Sequence, residues 1–165
     1  MSPMKMTYLK VLGVVLYLSI NANIAAATVA NKGLVCRDQQ QFSAKFSDLE
    51  PPLLSLVAHW FDETRVNTTT WNRNNDHITM STTRRGVPYK TNVKEVTWNP
   101  DANDKDKKIS IDRETAMRSV VLSEKILVSV SCQIFYERKE FDEYLKGLTK
   151  SLQTKYNAEI ADHKL

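Results

Sequence analysis

Glycine is scarce in this 165-residue chain, with four in all, and Gly13, Gly33, Gly86 and Gly147 stand far apart. Phosphate cradles and nucleophile elbows need clustered glycines, so the P-loop, dinucleotide-fold and α/β-hydrolase patterns are excluded. Histidine is equally sparse: His59, His77 and His163 form no pair at metal-ligand spacing, so no metal and no cofactor is expected. The two cysteines, Cys36 and Cys132, form no C-x-x-C motif, and neither has a histidine within twenty residues. A redox or nucleophilic role therefore has no motif behind it. The acidic run Asp101, Asn103, Asp104, Asp106 and Asp112 does not make a calcium loop. Lys105 stands at a ligand position, glycine is missing at six, and position twelve is Asp.

What is present begins with a leader pattern. Lys5 and Lys10 precede the apolar run Val11–Ile20, and Ala25-Ala26-Ala27 follows. A basic start, a short apolar run and a small-x-small site define a secretory signal peptide, with cleavage expected after Ala27. The run is too short to cross a bilayer, which takes about 20 residues. An uncleaved anchor from about Met6 to Ala27 is the alternative. Residues 28–165 are expected to form a single exported domain, periplasmic or extracellular. Removing Lys5 and Lys10 from 23 basic residues leaves 21 against 19 acidic, a net charge of +2. That balance lacks the basic stripe of a nucleic-acid binder. No stable membrane insertion is expected after cleavage. In an oxidising compartment Cys36 and Cys132 have one possible pairing, a disulfide.

Phe42, Phe46 and Leu49 recur at helical spacing and predict a short N-terminal helix over 37–50, stopped by Pro51-Pro52. Leu53–Phe61 is a dense apolar run readable as a buried strand. The polar stretch Asp62–Asp76 reads as a strand edge plus loop, and Ile78–Thr83 as a strand. Tyr89–Trp98, Lys108–Asp112, Ser119–Leu122 and Ile126–Tyr136 read as strands, the last two as a hairpin turning at Ser123-Glu124-Lys125. Ile126, Val128, Val130, Cys132, Ile134 and Tyr136 share one face, expected to be the core face. From Glu137 the period changes: Phe141, Tyr144, Leu145, Leu148, Leu152 and Tyr156 make one helical stripe. The fold class expected is α+β: an antiparallel sheet of about five to seven strands, the short N-terminal helix, and a long C-terminal amphipathic helix packed on the sheet. Many strands followed by one helix resembles lipocalin-like barrels, but that family's Gly-x-Trp in the first strand is absent.

Function is less legible. Trp71 stands alone in a polar segment between Asn67-Thr68-Thr69-Thr70 and Asn72-Arg73-Asn74-Asn75. It is either a staple for that segment or an exposed anchor. With Arg73, Arg84 and Arg85 it forms the candidate surface for a protein or surface-glycan partner. This non-enzymatic binding module, for example an inhibitor or accessory factor, is the leading expectation. The alternatives are a secreted hydrolase using His77 with Asp76, and a structural envelope or particle component. Catalytic residues are not assigned. His59, inside an apolar run, is expected to be a satisfied core or interface residue. Asn67-Thr68-Thr69 is a glycosylation acceptor in a eukaryotic host.

Overall fold

The computed structural model describes residues 29–37 and 56–162. Nine strands precede one helix: β1 (Lys32–Arg37), β2 (Leu56–Phe61), β3 (Arg65–Asn74), β4 (His77–Thr82), β5 (Val87–Thr91), β6 (Glu95–Trp98), β7 (Lys107–Asp112), β8 (Met117–Leu122), β9 (Lys125–Phe135) and α1 (Arg138–Asp162). Every strand pair is antiparallel, in the order β2-β1-β9-β8-β7-β6-β5-β3. The sheet then closes on itself, because β3 also pairs with β2, Val57 opposite Thr70 and Phe61 opposite Val66. The result is an eight-stranded barrel. β4 is the ninth strand, lying along the outer part of β3 from Thr69 to Asn74, while β5 takes the same edge at Arg65 and Val66.

This corrects the expected fold class. The sheet is a closed barrel rather than one of five to seven strands, and the described residues are mostly β. Among the described residues α1 is the sole helix. Arg37, expected to begin an N-terminal helix, ends β1 instead, and the rest of that predicted helix lies outside the described residues. Two local readings change as well. Tyr89–Trp98 is two strands, because the Asn92 side chain accepts the backbone N–H groups of Lys94 (2.8 Å) and Glu95 (2.9 Å) and folds the chain back. Asp62–Asp76 is dominated by a ten-residue strand. Its threonines suit a pleated surface even though few are apolar.

Alternation sorts the side chains into two layers. Leu34, Cys36, Val57, Phe61, Val66, Val96, Trp98, Ile109, Ile111 and Val130 pack as one cluster, joined by Val87, Tyr89 and Val120. These come from all eight barrel strands, so this cluster fills the barrel. The intervening residues Val35, Leu56, Ala58, Trp60, Trp71 and Phe135 face outward beneath Phe141, Leu145, Leu148 and Leu152 of α1. The expected helical stripe is thus the buried face of α1. Gly33 marks the closest approach, since a Cβ there would run into the Phe141 ring. The other end of α1 clamps the β3–β4 turn: Gln153 donates to the Asp76 carbonyl (2.9 Å) and accepts from the Ile78 amide (2.7 Å).

β9 follows its expected phase only midway. Val130 is buried and Cys132 half-buried, but Ile126 is 66% exposed. The pairing of β1 with β9 ends at Cys36 opposite Cys132, so among the described strands nothing flanks the outer edge of Ile126–Ser131. Ser123 and Glu124 take positive φ (47° and 68°), the two-residue turn that suits the twist of a hairpin. Within the described residues no helix is long and apolar enough to cross a membrane.

Candidate functional site

The disulfide expected from the sequence is present: Cys36 and Cys132 are bonded across β1 and β9, 96 residues apart in the chain. Both belong to the interior layer, so the bridge is structural in placement.

The four residues expected to meet a partner are not brought together. Trp71 is 0% exposed, and its indole Nε1–H donates to Thr149 Oγ1 at 2.8 Å beneath α1. A side chain with no surface cannot present one, so of its two readings the staple holds. Arg73 lies over the Tyr156 ring, 6.0 Å from the centroid. Arg84 and Arg85 are exposed in the β4–β5 connection. Asp76 and His77 are both exposed at the β3–β4 turn, and no hydrogen bond joins their side chains among the described residues. In the acidic loop, Asp101 and Asp104 accept the backbone N–H groups of Asn103 and Asp106, as turn residues do.

Chemistry concentrates inside the barrel. Arg118 of β8 is 9% exposed, and its Nε–H donates to His59 Nε2 of β2 at 3.1 Å, from three strands away. With Nε2 accepting, the proton of neutral His59 sits on Nδ1, which meets Thr68 Oγ1 at 3.1 Å. The Trp98 ring approaches the imidazole edge-on, centroids 4.9 Å apart. Burial, and secondly the Arg118 charge, hold the His59 pKa well below its ordinary 6.5. Burial lowers Arg118 to about 10, so it stays cationic at neutral pH. No carboxylate pairs with Arg118 among the described residues. Burying such a charge without a counter-ion costs several kcal/mol.

This arrangement has a pH signature. The unfolded chain protonates His59 near 6.5, whereas the fold resists that proton until well below. Stability contributed by neutral His59 is therefore complete above 6.5 and falls as the pH drops through that value. The slope is up to about 1.4 kcal/mol per pH unit. Urea unfolding at pH 7.5, 6.0 and 5.0 measures it. His59→Gln, which can still bridge Arg118 and Thr68, should flatten the profile. Equal slopes in the two proteins contradict the assignment.

At one end the barrel opens into a recess of about 160 Å³. Its walls are chiefly Leu34, Phe61, Val96, Ile111 and Ile134, and its lip carries Lys32, Asp112, Arg113 and Tyr136. The lip is held by local bonds. Asp112 accepts from the Thr115 amide and hydroxyl (both 2.8 Å) and from the Glu114 amide (3.0 Å), which keeps its pKa below the usual carboxylate value. Arg113 donates to the Asn92 carbonyl at 2.6 Å, and Lys32 sits 5.3 Å over the Tyr136 ring.

Compared with known proteins, the chain matches no family, no curated protein and no solved structure.

Sequence reasoning missed this site. The available signal was a polar residue within an apolar strand, His59 in Leu-Val-Ala-His-Trp-Phe and Arg118 in Met-Arg-Ser-Val-Val-Leu. Neither run shows that the two residues meet across a barrel.

Proposed function

We propose that this protein is an exported, non-enzymatic binding module that takes a small molecule into the open end of its barrel. The apolar recess at the barrel mouth carries the reading. An eight-stranded barrel is just wide enough to fill with side chains or to hold one small ligand. A cavity of about 150 Å³ accommodates benzene, so a recess of about 160 Å³ suits a group the size of one ring rather than a long lipid. Export is supported by the leader pattern of residues 1–27 and by the disulfide, which persists in oxidising compartments. A macromolecular contact through exposed Arg84 and Arg85 is compatible with the same molecule.

Millimolar indole or benzyl alcohol added to the mature chain should shift the amide NMR signals of Leu34, Phe61, Val96 and Ile111. Ile134→Trp, which fills the recess from a half-open wall position, should abolish those shifts. Shifts scattered over the surface, or surviving in Ile134→Trp, contradict the reading.

A further inference from the structure

We propose that the recess takes small monocarboxylic acids with the apolar end first, a ring or short chain against Leu34, Phe61, Val96 and Ile111 and the carboxylate left at the lip on Lys32. This rests on the recess reading above and adds the ligand's chemistry and orientation to it.

Register brings Lys32 to the mouth. It stands two residues before Leu34 on β1, on the same face of the strand, and opposite Phe61 of β2. Gly33 pairs with Phe135 of β9, so the next step outward sets Lys32 beside Tyr136. The Lys32 Nζ, 5.3 Å over the Tyr136 ring, closes that step. Lys32, Leu34, Phe61 and Tyr136 all line the recess. Residues opposite one another on one sheet face have Cβ atoms about 5 Å apart. A ring against Phe61 therefore carries a substituent one or two bonds outward to the ammonium. Arg113 adds a second positive charge to the same lip, and its Nη1 bond to the Asn92 carbonyl (2.6 Å) holds it there.

The charges select an anion. Among the described residues no carboxylate lies within ion-pair distance of Lys32. Asp112, the one carboxylate of the lip, alternates out of phase with Ile109 and Ile111 on β7. Its Oδ1 takes all three bonds from the following turn, the Thr115 amide and hydroxyl and the Glu114 amide. Lys32 and Arg113 against Asp112 leave the lining at +1, which a monoanion balances and a phosphate dianion exceeds. The orientation follows from the walls. Leu34, Phe61, Val96, Ile111 and Ile134 offer no side-chain donor, so a carboxylate carried between them would lose its water without a partner. The recess volume limits the apolar part to about one ring.

Titration calorimetry at pH 7.5 and low salt tests the inference with phenylacetate, 2-phenylethanol and 2-phenylethylamine, which share a ring and differ in charge. The acid should bind about fivefold more tightly than the alcohol, and the amine more weakly than either. The preference should shrink at about 1 M salt, because the lip is open to solvent. Lys32→Met should erase it while leaving alcohol affinity within about twofold, and Lys125→Met, at the far end of β9, should keep it. If none of the three binds, the recess reading itself falls. If acid and alcohol bind equally, or the amine binds best, the recess stands and the carboxylate inference is overturned. A preference that survives in Lys32→Met puts the acid elsewhere and also overturns it. Should Lys32→Met fail to fold, the Lys32 side-chain Cε–Hε NMR signals of the unaltered protein decide the question. They must move with phenylacetate and stay fixed with 2-phenylethanol; signals that respond alike to both overturn the inference.

Discussion

Reducing the Cys36–Cys132 bridge is expected to destabilise the protein by about 4 to 5 kcal/mol, the chain-entropy value for a loop of about a hundred residues. Small domains are stable by about 5–15 kcal/mol in total, so the effect is large. Its location explains why little else can substitute for it. Pairs such as β6–β7, β7–β8 and β8–β9 join strands adjacent in sequence, whereas β1 meets β9 from the far end of the domain. That pairing covers four residues on each strand, Gly33–Cys36 against Phe135–Cys132. Loop-closure entropy opposes it, and without the bridge the unfolded chain regains that freedom. Urea unfolding with and without reductant, and of a Cys36→Ala/Cys132→Ala double variant, measures the loss. A midpoint shift equivalent to less than about 1 kcal/mol would show that β1 is held in the barrel by packing alone.

That seam also marks the limit of what the sequence reveals. The β7 strand, the β8–β9 hairpin and α1 are legible because each is a local pattern: Ile109 and Ile111 alternate, and Phe141, Leu145, Leu148 and Leu152 recur at helical spacing. Closure depends on β2 pairing with β3 while β1 reaches β9, and hydrophobic period carries no information on which edges meet. On β9 the expected phase holds at Val130 and Cys132, whereas the bulge opposite Val120 and Val121 sets Ile126 against Val121, and Ile126 and Val128 stay exposed. For the site, His59, expected to be a satisfied core or interface residue, is buried and hydrogen-bonded through both ring nitrogens. Its partner Arg118 lies 59 positions away, and that contact exists only once eight strands enclose a lumen.

Trp71 shows how tertiary placement inverts a local impression. Its sequence neighbours are polar, yet replacing it with alanine should cost about 3–5 kcal/mol, the range for truncating a buried aromatic, and lower the melting temperature by roughly 10 °C. The apolar surroundings come from elsewhere in the chain: Ile78 on β4, Leu56 and Ala58 on β2, and the Leu145–Leu148–Leu152 stripe of α1. The indole N–H is also satisfied, since Thr149 accepts from it and itself donates to the Leu145 carbonyl at 2.8 Å. Trp71→Phe keeps most of the apolar volume and drops the N–H, so about 1 kcal/mol is expected. The difference between the two variants separates packing from hydrogen bonding. Thr149→Val combined with Trp71→Phe should cost less than the sum of the single changes, because both remove one shared bond. An exposed anchor would behave oppositely, with Trp71→Ala melting within a degree or two of the unaltered protein. Such a result would mean that α1 does not cover β3 in solution.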